Sequence, residues 1–196
     1  GVTLGGESQR DAQRTKGTHH GMTVVEALST APTQVPTVTI ASLTRDWARR
    51  APQQVAMREK DFGIWHEYTW EQVYDTVLDA AHALLDLGVA PGDRVSIHSE
   101  DRPEWVILDI ATVAVRAITV GLYPTNPAAE VEYLLADSGA TVHLAEDQEQ
   151  VDKVFDSATG HRGLEQIVYV EPRGLAHHAD PRLLSWDDFL ARGRAH

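Results

Sequence analysis

The side chains best equipped for chemistry fall into a few small groups. His98, Ser99 and Asp101 are the residue types of a hydrolase triad, in which an imidazole takes a hydroxyl proton and a carboxylate orients the imidazole. They are nearly consecutive, and a loop leaving a strand cannot easily turn all three onto one reacting atom. Helix capping suits Ser99 or Asp101 better, ahead of Pro103, with Glu100 favouring the positive end of the helix. His177, His178 and Asp180 can each ligate a metal, but they lack the i, i+4 spacing that sets two imidazoles on one helical face. A solvated linker explains them. A phosphate loop needs glycines and backbone N–H groups at a helix start, usually with a lysine. Neither the Gly-x4-Gly-Lys-Ser/Thr nor the Gly-x-Gly-x-x-Gly pattern occurs, and Glu7 follows Gly6 where a lysine would stand. The pairs Glu146–Asp147 and Asp187–Asp188 read as helix-start charges, and Trp65 and Trp70 as core or staple residues. No catalytic residue and no metal ligand is expected among these groups.

The elements that must position these residues are well signalled. Leu43, Trp47 and Ala51 share one helical face, which Pro52 ends. Strands over 55–57 and 64–68 flank the turn Asp61-Phe62-Gly63, a β-hairpin. Thr69 and Gln72 have capping-box spacing before a helix with the stripe Val73, Val77, Ala81 and Leu84, which Gly88 closes. A strand over 94–98 leads to a helix opened by Pro103. The β-branched run 118–122 reads as a buried strand. Asn126 and Pro127 then read as the cap and first residue of a helix ending at Gly139. A strand over 141–145, a helix over 148–158 and a strand over 167–170 follow. Residues 171–182 read as linker, and Ser185 and Asp188 cap a last short helix. This alternation predicts an α/β fold with a mainly parallel sheet flanked by helices. Residues 1–36 lack periodicity and read as a flexible N-terminal tail, with translation able to begin at Met22; residues 37–196 form the domain.

Composition narrows the partners. The 196 residues carry a formal net charge of −12 with lysine only at 16, 60 and 153, which opposes binding to nucleic acid or an anionic membrane. There is no cysteine, so disulfides and thiolate chemistry are excluded. No apolar run approaches the roughly 20 residues of a transmembrane segment, and no secretory signal opens the chain. A cytoplasmic protein is expected.

Two ordered blocks are far more specific. The first is Tyr68-Thr-Trp-Glu-Gln-Val, then Leu87-Gly-Val-Ala-Pro-Gly-Asp-Arg-Val-Ser-Ile and Ser99-Glu-Asp-Arg-Pro-Glu-Trp105. The second is Tyr123-Pro-Thr-Asn-Pro-Ala-Ala-Glu-Val-Glu-Tyr-Leu-Leu-Ala-Asp-Ser-Gly139, then Glu146-Asp-Gln-Glu-Gln-Val-Asp-Lys153. In this order, over residues 38–190, they resemble the N-terminal region of AMP-forming acyl-CoA synthetases, most closely the long-chain fatty acid–CoA ligases.

The resemblance implies an incomplete N-terminal domain of the adenylate-forming fold. It also implies a reaction in which ATP, fatty acid and Mg²⁺ give an acyl-adenylate and pyrophosphate before the thiol of CoA displaces AMP. The family's phosphate loop, acidic magnesium ligand, ribose-binding aspartate and C-terminal lysine are not found in these residues. The chain is therefore expected to be a truncated or split ligase, inactive alone, with a complementary C-terminal ligase fragment or a second copy as partner. The alternatives are a non-catalytic binding or scaffold module and an inert gene remnant. One loop, Tyr123, Pro124, Thr125 and Asn126, matches a turn that in relatives lies near the path of CoA and its pantetheine. The same residues could instead fill the sheet edge and cap a helix. Relatives can hold CoA phosphate with arginines after the next strand, whereas residues 146–150 here are acidic or neutral.

Overall fold

The computed structural model describes residues 38–156 and 160–196; the tail expected over 1–36 lies outside them. Helix α1 (Ile40–Arg50) opens with a reciprocal capping box between Thr39 and Ser42. Strands β1 (Val55–Asp61) and β2 (Ile64–Thr69) pair antiparallel, and Phe62 and Gly63 between them both have positive φ. Two such residues make the mirror-image turn whose twist matches that of a hairpin. Thr69 then caps α2 (Trp70–Asp86), with Gln72 returning a bond to the Thr69 backbone, as the spacing predicts. Removing such a cap typically costs about 1 kcal/mol. At the other end Gly88 adopts a left-handed conformation.

A five-stranded parallel sheet follows, in the order β4-β3-β5-β6-β7. Its strands are β3 (Arg94–His98), β4 (Ile118–Leu122), β5 (Val142–Ala145), β6 (Gln166–Tyr169) and β7 (Leu183–Ser185). Helices α3 (Pro103–Ala114), α4 (Ala128–Ser138) and α5 (Gln148–Asp156) connect successive strands, and α6 (Trp186–Ala195) ends the chain. Alternation along the strands sends Val95, Ile97, Val142, Leu144 and Val168 into one core with α2, α3 and α6. Leu122 and Ile167 face the opposite side, with Val131 and Leu135 of α4 and Val154 of α5. The sheet is thus sandwiched between two helical layers, the α/β arrangement expected.

Four local expectations are corrected. The run 118–122 is an edge strand rather than a buried one, with Ile118 53% exposed, because β4 has a single neighbour. Pro127 is the cap of α4 rather than its first residue, and Asn126 Nδ2 instead donates to Glu130 Oε2 at 2.5 Å. The cap of α3 is Arg102, with no side-chain bond, and its first-turn charge is Glu104 rather than Glu100. A residue before proline is driven to extended backbone, which removes Ser99 and Asp101 from capping range. The segment 171–182 contains a 3-10 turn, Leu175–His177, and leads directly into β7, so it is structured where a plain linker is expected. Its local cue is weak because three residues, Leu183–Ser185, suffice to close the edge.

Candidate functional site at the carboxyl ends of the strands

Parallel sheets expose their C-terminal strand ends where the connections diverge to either side, and ligands collect there. In this sheet α3 carries the chain from β3 outward to β4, while α4 returns it across β3 to β5. The divergence therefore lies between the ends of β3 and β5. Glu146, directly after β5, occupies it. Its carboxylate accepts from the Glu100 backbone N–H at 2.7 Å and lies 3.5 Å from Arg102 Nη1. Glu146 is thus bound across the divergence and does not serve as a helix-start charge; Asp147 does, accepting from the N–H groups of Glu149 and Gln150.

Beside this crossing is a cleft of about 370 Å³ lined by Ser99, Glu100, Asp101, Trp105, Tyr123 and Pro124 among others. Gly121 forms its floor, 3.6 Å from Trp105 at the position of an added Cβ. Tyr123 is 78% exposed, so it projects into the opening rather than filling the sheet edge. Its carbonyl accepts from Asn126 N–H at 2.9 Å, which tightens the turn. Pro124 O accepts from Lys153 Nζ at 2.6 Å, tying the loop to α5. Lys153 also pairs with Glu149 at 2.8 Å. The lining of the cleft holds two carboxylates and no cation, so it suits a neutral chain better than a phosphate.

The triad-like residues do not converge. His98 is fully buried, whereas the Ser99 hydroxyl donates to Glu100 O at 2.8 Å. The His98 ring lies 5.8 Å from that of His143, which shares a 2.8 Å bond with the Ser96 hydroxyl. Burial pushes His98 down to about 4, aided by Lys153 and only partly offset by the Tyr123 backbone. That backbone does not satisfy the ring: neither nitrogen of His98 has a partner of good hydrogen-bond geometry. His143 is lowered by burial and by His98. Both rings are neutral near pH 7, and His98 lies against the Tyr123 backbone.

A second cleft of about 610 Å³ was not legible in the sequence. Hairpin residues Arg58 and Lys60 meet Arg102 there, but Glu59, Asp61, Asp101 and Glu146 line it too. Only the tertiary contact of β1 with the start of α3 brings these charges together. Trp65, read as a core or staple residue, is 60% exposed on its rim, whereas Trp70 stacks on Trp47 at 5.7 Å.

A doubly wound parallel sheet with its ligand-side loops at the strand ends is the class defined here, and solved structures specify it. The anthranilate CoA ligase AuaEII, solved with anthranoyl-AMP, superposes with a TM-score of 0.66 at 25% identity, over 77% of this chain and 26% of that one. The profile of the family described as AMP-binding enzyme matches residues 44–184, and the chain belongs to that family. The long-chain-fatty-acid–CoA ligase FadD15 of Mycobacterium bovis is 33% identical over 135 residues, covering 69% of this chain and 22% of its own length. The long-chain-fatty-acid–CoA ligase ACSBG2 of Xenopus laevis is 26% identical over 160 residues, covering 82% and 21%. The chain spans about a fifth of the length of these curated relatives. No helix among the described residues is long and apolar enough to cross a membrane.

Proposed function

We propose that this chain is the N-terminal part of a long-chain fatty acid–CoA ligase and does not adenylate fatty acids by itself. The family match across residues 44–184 carries the reading. In the complete reaction a fatty-acid carboxylate attacks the α-phosphorus of ATP and pyrophosphate leaves. The CoA sulfur then attacks the acyl carbon and AMP leaves. Magnesium would neutralise phosphate charge in the first step. Among the described residues the one cluster able to hold a metal contains two histidines, a poor match for a cation that prefers oxygen. The loop Tyr123, Pro124, Thr125 and Asn126 is proposed to border the neutral pantetheine portion of CoA, since its cleft lacks cations. An acidic, cysteine-free chain also fits the reducing cytoplasm.

The partner proposed is a complementary C-terminal ligase segment. Its docking face is the apolar groove of about 310 Å³ lined by Leu43, Trp47, Trp70 and Val106 among others. ATP–pyrophosphate exchange with fatty acid tests the reading. The 196 residues alone are expected to give none, and addition of the complementary segment is expected to restore it. Exchange by the chain alone would overturn the proposal, and continued silence of the mixture would favour a binding module or a remnant. In the restored enzyme Tyr123→Ala is expected to raise KM for CoA about tenfold, on the order of 1.4 kcal/mol, with CoA-independent exchange unchanged. An unaltered KM would remove the loop from the CoA path.

A further inference from the structure

Away from the strand ends, a turn and a helix bring three ligating side chains together. Asp152 lies on α5, and His177 and His178 at the end of the Leu175–His177 turn; their ligand atoms all fall within 4.8 Å of one another. His178 Nε2 already meets Asp152 Oδ1 at 2.8 Å, and the two histidine rings are 4.2 Å apart. Asp180, the carboxylate nearest in sequence, is instead engaged with Arg182 at 2.7 Å. The set that forms is therefore His-His-Asp152, which adjacency along the chain does not reveal.

The surroundings hold this set in place. Leu175 is buried with Ala145 and Val151, anchoring the turn against the sheet. Gly174 has φ of 82°, a conformation that favours glycine, and a Cβ there would displace the end of the Gln148 side chain, so the turn lies directly against α5. Gln148 Nε2 donates to Asp152 Oδ2 at 3.2 Å, which orients the carboxylate and leaves Oδ1 directed at His178. The His178 ring stacks on Phe155 at 5.2 Å. Orientation of a ligand by such neighbours commonly changes metal affinity by about 10–100-fold.

We propose that Asp152, His177 and His178 bind a borderline divalent cation of the zinc class. Two imidazoles and a carboxylate match tetrahedral zinc, whose ligand bonds of about 2.0–2.2 Å place neighbouring ligand atoms roughly 3.4 Å apart. Reaching that spacing from the His178–Asp152 hydrogen bond needs a movement of a few tenths of an ångström. Magnesium and calcium prefer all-oxygen sets and are excluded by the imidazoles. His177 is exposed, so the fourth position opens to water. The cation staples segment 171–182 to α5. The site stands independently of the ligase reading.

Equilibrium dialysis of the 196-residue chain against ZnCl2, with and without excess MgCl2, tests the site. One saturable zinc per chain is expected, undisturbed by magnesium. His177→Ala and Asp152→Asn are each expected to weaken zinc binding at least tenfold, whereas replacing the other adjacent histidine pair of the sequence, by His19→Ala with His20→Ala, leaves binding as in the parent. A metal-free thermal melt of His177→Ala matching the parent shows that loss of binding is not loss of fold. No saturable zinc, retention of full affinity in His177→Ala, or loss tracking the His19 and His20 pair would each overturn the proposal.

Discussion

His98 and His143 show what a sequence conceals at the scale of single residues. His98 is the first member of a triad-like run, yet its side chain enters the interior because it alternates with Ile97 along β3. Its partner across the sheet is 45 residues away in sequence, on β5, so the pair exists only after β3 and β5 align. The folded pKa of His98 lies near 4, below the ordinary 6.5, so the unfolded chain binds the proton more readily. Stability contributed by the neutral ring is complete above pH 6.5 and is lost as pH falls through that window toward 4. For His98 the loss amounts to roughly 3 kcal/mol, and His143 adds to it in the same direction. Urea midpoints between pH 6.5 and 5 are expected to fall with acid, and His98→Leu is expected to lower that slope by about one proton. Equal slopes in parent and variant would count against the buried-imidazole account. Sequence could supply the strand and its alternation, but not the second histidine.

Elements were largely readable because their boundaries are local chemistry. The Thr69–Gln72 box, Pro103, Gly139 and Ser185 each satisfy or end a backbone within a few residues, and each does so here. The closing of α6 on α2 was not readable, since the run Arg192-Gly-Arg-Ala-His196 has no apolar periodicity to announce a packed helix. Gly193 explains the contact: it is buried, and a Cβ there would overlap the Asp79 carbonyl. Glycine costs a helix about 1 kcal/mol relative to alanine in isolation, so its presence inside α6 reflects the close crossing. Trp186, Phe189 and Leu190 fill the core beneath, while Arg192–Asp86 and Arg194–Asp79 fix orientation at the surface. Gly193→Ala should then destabilise despite its better helix propensity, by about 1–3 kcal/mol or more. Chemical denaturation measures the loss, and limited proteolysis should cut near α6 first. A variant as stable as the parent would show that the two helices can separate freely.

For the whole molecule, the two motif blocks were legible because they span the strand-end loops and the helix starts that follow them. The assembled surfaces were not. Ile40, Leu43 and Trp47 are each more than 40% exposed, and with Val106 they leave one edge of the α1–α3 layer apolar. A folded chain seldom leaves such a stripe uncovered without a partner. Without the complementary segment the chain is expected to self-associate, with a sedimentation coefficient rising with concentration. Leu43→Glu should restore monomer behaviour; an unchanged profile would place the contact elsewhere. The α2–α6 crossing also has a consequence in time. Asp86 and Arg192 are separated by 106 residues. At roughly 5–20 residues per second, synthesis delivers α6 about 5–20 s after α2 has emerged. Throughout that interval the face of α2 that receives Gly193, at Asp79 and Ala83, awaits its cover, so the nascent chain offers chaperones a defined target that vanishes once α6 docks.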